Sequence, residues 1–109
     1  MSLYEKIKSA QDSKDIDMYL TCLHKDFVFV RHQSGTEVSK ADWTPTVTQM
    51  MQSDALQFHD QRCLYENDEI MVEHSVMKFP DGTSEAVMVV NHIKDGKIIR
   101  VETGATPLK

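Results

Sequence analysis

Apolar residues along this chain follow two periods, and the change between them falls near residue 55. Before it the spacing is mostly helical. Ser2 followed by Glu5 has the form of a capping box, and Leu3, Ile7 and Ala10 then recur every three to four residues, which predicts a first helix over about residues 3–12. Ser13-Lys14-Asp15 interrupts that run. Asp15 is suited to cap a second helix with an apolar stripe of Ile16, Tyr19, Leu20 and Leu23, and with His24 and Lys25 at its negative end. Phe27-Val28-Phe29-Val30 is short, apolar and β-prone, so it predicts a buried strand continuing to about His32. Gly35 belongs to the exit loop, and a third helix reaching Met51 starts either at Ser39 with Asp42 or at Thr44-Pro45.

From residue 55 onward, Asn67-Asp68, Asp81-Gly82 and Asp95-Gly96 separate four stretches of about nine to eleven residues, the pattern of an antiparallel meander. Ile70, Val72, His74 and Val76 alternate with Met71, Glu73, Ser75 and Met77, which is the period of a strand. The predicted order is therefore helix, helix, strand, helix and four strands, ααβαββββ. It describes an α+β fold with helices against one face of a bent antiparallel sheet.

Composition narrows the function classes. Residues 1–109 amount to 12.5 kDa with 40% hydrophobic residues and no repeat or linker, which predicts a single domain able to bury its own core. A formal charge of −5 disfavours a protein that tracks phosphates, so no nucleic-acid partner is expected. No apolar run approaches the ~20 residues of a membrane span, and Met1-Ser2-Leu3-Tyr4-Glu5 lacks the basic and apolar regions of a signal peptide. The expectation is a cytoplasmic protein. Cys22 and Cys63 stand far apart and read as free thiols. His24, His32, His59, His74 and His92 never fall at a metal-ligating spacing, and nucleotide-binding, hydrolase and metalloprotease motifs are missing, so neither a metal nor a cofactor is expected.

The element order, with Asp15-Ile16-Asp17 opening the second helix, Lys25-Asp26-Phe27 leading into the first strand and Asp95-Gly96-Lys97-Ile98 at the last hairpin, resembles the NTF2-like superfamily. The SnoaL-like and ketosteroid-isomerase-like branch is the most similar part of it. The resemblance covers essentially the whole chain. It implies a cone-shaped sheet wrapped around a pocket lined by the helices, with the other sheet face commonly used for dimers.

Isomerase chemistry of that branch needs a carboxylate base and acidic donors for the developing enolate. Counting without gaps from Asp15 sets Ile7 at the family's tyrosine donor, Arg31 at its aspartate base and Asn91 near its second donor. The first two replacements cannot do the family's job, which argues against steroid isomerisation by that apparatus. The same alignment aims Arg31, His74 and Asn91 into the cone. His74 then reads either as a core histidine satisfied by its neighbours or as a ligand contact and general acid/base, the single catalytic candidate. Arg31 needs a counter-charge, supplied by Glu37 or Glu102 or by an anionic ligand. Tyr19, Phe29 and Trp43 complete the ligand-binding candidates, with core packing as the competing role for Tyr19 and Trp43.

Three further features bear on the site. Asp60-Gln61-Arg62 resembles, in reversed order, the water-activating pair of the limonene-epoxide-hydrolase branch, with a surface pair as the alternative. His59 shares a parity with Gln57 and Gln61, whereas Leu56, Phe58 and Leu64 take the other, and one bulge would exchange the two faces. Met71, Met77 and Phe79 fall opposite His74, on what is then the outer sheet surface, and an apolar surface of that width suggests a homodimer. Two functions follow: a binder of a small apolar or anionic organic ligand, with isomerase, cyclase or aldol-type turnover as its enzymatic version, or a non-catalytic oligomerisation or interaction module.

Overall fold

The computed structural model describes residues 2–53, 57–79 and 81–108. Helix α1 spans Leu3–Ser13, and its capping box is complete: Ser2 Oγ accepts from Glu5 N at 3.1 Å while Glu5 accepts from Ser2 N at 3.3 Å. Lys14 turns left-handed at its end. Asp15 then caps α2, Ile16–Thr21, by accepting from Met18 N at 3.1 Å. This helix is shorter than its apolar stripe suggested. Leu23 and His24 already belong to strand β1, Leu23–Val30, because Leu23 pairs with Ile98 and is buried there.

Strand β1 ends at Val30, two residues earlier than expected, and turns through Gly35, whose N–H donates to Arg31 O at 2.7 Å. It leads into an unforeseen three-residue strand β2, Glu37–Ser39, antiparallel to β1. Of the two possible starts for the third helix, Ser39 is the cap, and α3 runs Lys40–Gln52 with Pro45 inside it. Strands β3, Gln57–Glu66, β4, Ile70–Lys78, β5, Ser84–Lys94, and β6, Lys97–Leu108, form the antiparallel meander. Asp95 and Gly96 both take positive φ, 55° and 74°, as a two-residue hairpin of this twist requires.

One curved six-stranded sheet results, in the order β2-β1-β6-β5-β4-β3, with β1 parallel to β6 and every other pair antiparallel. The core lies between its concave face and the helices, around Ile7, Ala10, Tyr19, Phe27, Trp43 and Met71. Among the described residues no helix is long and apolar enough to cross a membrane.

The phase of β4 corrects the expectation. Met71 is fully buried and pairs with Asn91, and Glu73, Ser75 and Met77 follow it on the concave face, opposite Val89, Val87 and Glu85. Val72, His74 and Val76 therefore lie on the convex face. Both parities of this strand carry apolar side chains, so alternation could establish a strand without deciding which side met the helices.

Candidate functional site

Between the helices and the concave face lies a cavity of about 270 Å³. Helix α1 contributes Ile7 and Gln11 to its wall, α2 contributes Tyr19, and α3 contributes Trp43, Val47, Met50 and Met51. The sheet adds Phe29, Phe58, Gln61, Glu73, Ser75, Val89, Asn91 and Val101, with Met77, Phe79 and Glu85 towards one end of β4 and β5. Most of this lining is apolar.

Glu73 is one of two carboxylates in it. Its Oε2 accepts from Asn91 Nδ2 at 2.8 Å, and the same amide nitrogen donates to Met71 O at 3.1 Å. Both amide hydrogens are thereby committed, so Asn91 orients Glu73 instead of offering a free donor to a ligand. Burial pushes the Glu73 carboxyl above its ordinary value; the Asn91 hydrogen bond opposes that shift, and the negative charge of Glu66 adds to it. A carboxyl raised in this way exchanges a proton nearer to neutral pH than a surface glutamate does.

Tyr19 supplies the second polar group. Its hydroxyl accepts from Trp43 Nε1 at 3.3 Å, which leaves its own proton for a ligand. Burial pushes the phenol up to about 12, so it stays neutral at physiological pH, and the charge of Glu73 contributes in the same direction. Trp43 stacks on Phe29 with ring centroids 4.3 Å apart and planes 7° from parallel. This parallel stack is part of the cavity lining.

The structure thus brings Tyr19, Phe29, Trp43 and Asn91 to the cavity, and it leaves Arg31 and His74 out. Arg31 would face inward if β1 continued by alternation, but the strand stops at Val30 and the Arg31 backbone closes the turn to β2, where the residue is exposed. His74 points to the convex face, in register with Arg62 and Met88. His32 instead reaches the cavity lining, its Nδ1 2.9 Å from Thr103 Oγ1.

On β3 the faces are mixed by a bulge at Asp60, which holds φ 53°. Phe58 and Gln61 consequently share the cavity, His59 and Arg62 are exposed, and Gln61 Nε2 donates to Gln11 Oε1 at 2.8 Å. Leu56 lies outside the described residues. The Asp60 and Arg62 pair is not assembled in the cavity. Among the described residues no three His, Cys, Asp or Glu side chains gather as a metal site.

Glu73 was missed because its parity was assigned to the outside. The available signal is a carboxylate directly after the apolar run Ile70-Met71-Val72 and next to His74.

Comparisons with known proteins agree with this fold. The SnoaL-like domain model matches residues 5–101. A proposed polyketide cyclase from Pseudomonas putida superimposes with a TM-score of 0.76 at 17% identity, covering 95% of this chain and 91% of that one. A proposed ketosteroid isomerase from Kribbella flavida gives 0.75 at 15% identity, covering 98% and 77%. An NTF2-like protein of unknown function from Mesorhizobium loti gives 0.81 at 11% identity, covering 95% and 88%. No curated protein matches the chain by sequence.

Proposed function

The chain belongs to the SnoaL-like family of the NTF2-like superfamily, and from that premise we propose that its cavity binds a small organic molecule and moves a proton on it, with Glu73 as the base. The observation that carries this reading is a half-buried carboxylate, oriented by Asn91, in a largely apolar cavity that also contains the Tyr19 phenol.

The chemistry balances with those two groups. Ionised Glu73 accepts a proton from a carbon next to a carbonyl, and the C–H electron pair becomes the enolate. Tyr19 donates a hydrogen bond to the enolate oxygen, where the negative charge develops. Return of the proton to a different carbon gives an isomer. Attack of the enolate carbon on a second carbonyl of the same molecule forms a C–C bond, and the resulting alkoxide recovers the proton from Glu73. The polyketide cyclase and ketosteroid isomerase descriptions of two structural neighbours support this reaction class.

Deuterium exchange tests the reading without the natural substrate. β-Tetralone, a ketone with an acidic α C–H, is incubated with protein in heavy water and its exchange followed by NMR. The protein accelerates exchange over buffer, and Glu73→Gln lowers that acceleration by about a hundredfold or more. Equal rates with Glu73→Gln and the original protein would remove Glu73 from the role.

Self-association through the convex sheet face belongs to the same proposal. The residues first expected there, Met71, Met77 and Phe79, lie on the cavity side instead. The alternate set still makes an apolar surface: Val72 and Val76 of β4 lie beside Ala86, Met88 and Val90 of β5, and Met88 is 44% exposed. Such a surface fits a second copy of this chain.

A further inference from the structure

We infer that the cavity's ligand is an organic cation, a protonated amine or iminium on an apolar body, held by Glu73 and the aromatic wall. This rests on the reading of the cavity as a binding site and adds the charge of what it binds.

The charges around the cavity are one-sided. Two carboxylates, Glu73 and Glu85, line it; among the described residues the exposed His32 is the one basic side chain at the lining, and no lysine or arginine joins it. The basic side chains with assigned partners are engaged elsewhere: Lys8 with Asp12, Arg100 with Glu37, and Lys40 with the Leu23 carbonyl. Arg31, the one cation expected from sequence to face inward, is on the surface.

Among the described residues Glu73 therefore has no cationic partner. Its only hydrogen-bond donor among the described residues is a neutral amide, and that bond reaches Oε2 alone. A partly desolvated carboxylate held only by an amide is costly to ionise, and a cation brought by the ligand would offset that cost. Glu85 is half-buried and makes no ion pair among the described residues, so its charge acts in the same sense. An anionic ligand would meet both carboxylates with no lysine or arginine among the described lining residues to balance it.

The wall selects the same sign. Tyr19, Phe29, Trp43, Phe58 and Phe79 all line the cavity. Aromatic faces are negative and attract a cation, most strongly where water is excluded. The two roles of Glu73 are compatible. A cationic nitrogen beside a C–H makes that C–H more acidic, and it favours the ionised form of the carboxylate that removes the proton.

Trp43 is the only tryptophan in the chain, so its emission reports on this cavity. Phenylpropylammonium, phenylpropanol and phenylpropanoate share one shape and differ in charge, and none absorbs where tryptophan alone is excited. The ammonium is expected to bind about tenfold tighter than the alcohol, with the carboxylate weakest. Glu73→Gln, with its fold checked by circular dichroism, brings the ammonium's advantage over the alcohol down to about twofold or less. Binding without a charge order, or tightest binding of the carboxylate, overturns the cationic ligand and leaves the cavity as a binding site. No response of Trp43 emission or of protein NMR shifts to any of the three overturns the binding site as well.

Discussion

Glu73 and His74 are neighbours in sequence and opposites in placement, and the difference decides what chemistry this protein can do. One lies under the helices with a raised pKa and an amide partner; the other is on the convex face beside Arg62 and Met88. Because folding raises the Glu73 pKa, folding favours its protonated form. Its contribution to stability is complete below the unfolded carboxyl value and is lost as pH rises through the folded one. Tyr4, Tyr19 and Cys63, which interact with this region, are all shifted upward by burial, and Glu66 is the other carboxylate acting on Glu73. Glu73→Gln keeps an oxygen for Asn91 and removes the charge, so at neutral pH it should raise Tm by about 4–8 °C, corresponding to ~1 kcal/mol. Thermal melts across pH should show that gain shrinking as pH falls towards 4. Asn91→Ala should go the other way, by about 1–3 kcal/mol, because it strips a hydrogen bond from Met71 O and from Glu73.

At the scale of elements, capping was the most readable signal. Ser2 with Glu5, Asp15, and Ser39 with Asp42 each sit where a side-chain oxygen meets a free N–H, and the three helices begin there. Strand ends were less legible. The start of β1 at Leu23 depends on pairing with distant Ile98, and β2 is three largely exposed residues with no apolar signature. The bulge in β3 belongs to the same class, since it is set by its partner strand. Asp60 occupies a left-handed conformation that a β-branched side chain opposes. Asp60→Val should therefore cost about 1–2 kcal/mol in urea unfolding and weaken the phenylpropanol response of Trp43, because Phe58 and Gln61 share the cavity only while the bulge persists. Asp60→Gly should be tolerated.

For the whole molecule, the α+β class and the helix, strand and hairpin order could be read directly, because period and turn chemistry are local properties. Which sheet face meets the helices could not, because β4 offers apolar residues on both sides and long-range pairing makes the choice. That one inversion moved the candidate site from Arg31 and His74 to Glu73 and Tyr19, and it moved the expected dimer surface to the Val72, Val76 and Met88 side. Sedimentation over a range of micromolar concentrations should show a dimer, and Met88→Lys, at the centre of that face, should shift it to monomer. A monomer at every concentration would contradict the association.

Titration of Glu73 itself decides whether this carboxyl is the base and the cation's partner. Carboxyl carbons labelled with ¹³C and followed by NMR across pH, with the Glu73 signal assigned by its loss in Glu73→Gln, give its pKa in the folded protein. The expected value lies above the ordinary 4.5 of a glutamate and falls when phenylpropylammonium is added. A value at or below 4.5, unmoved by the amine, would contradict it.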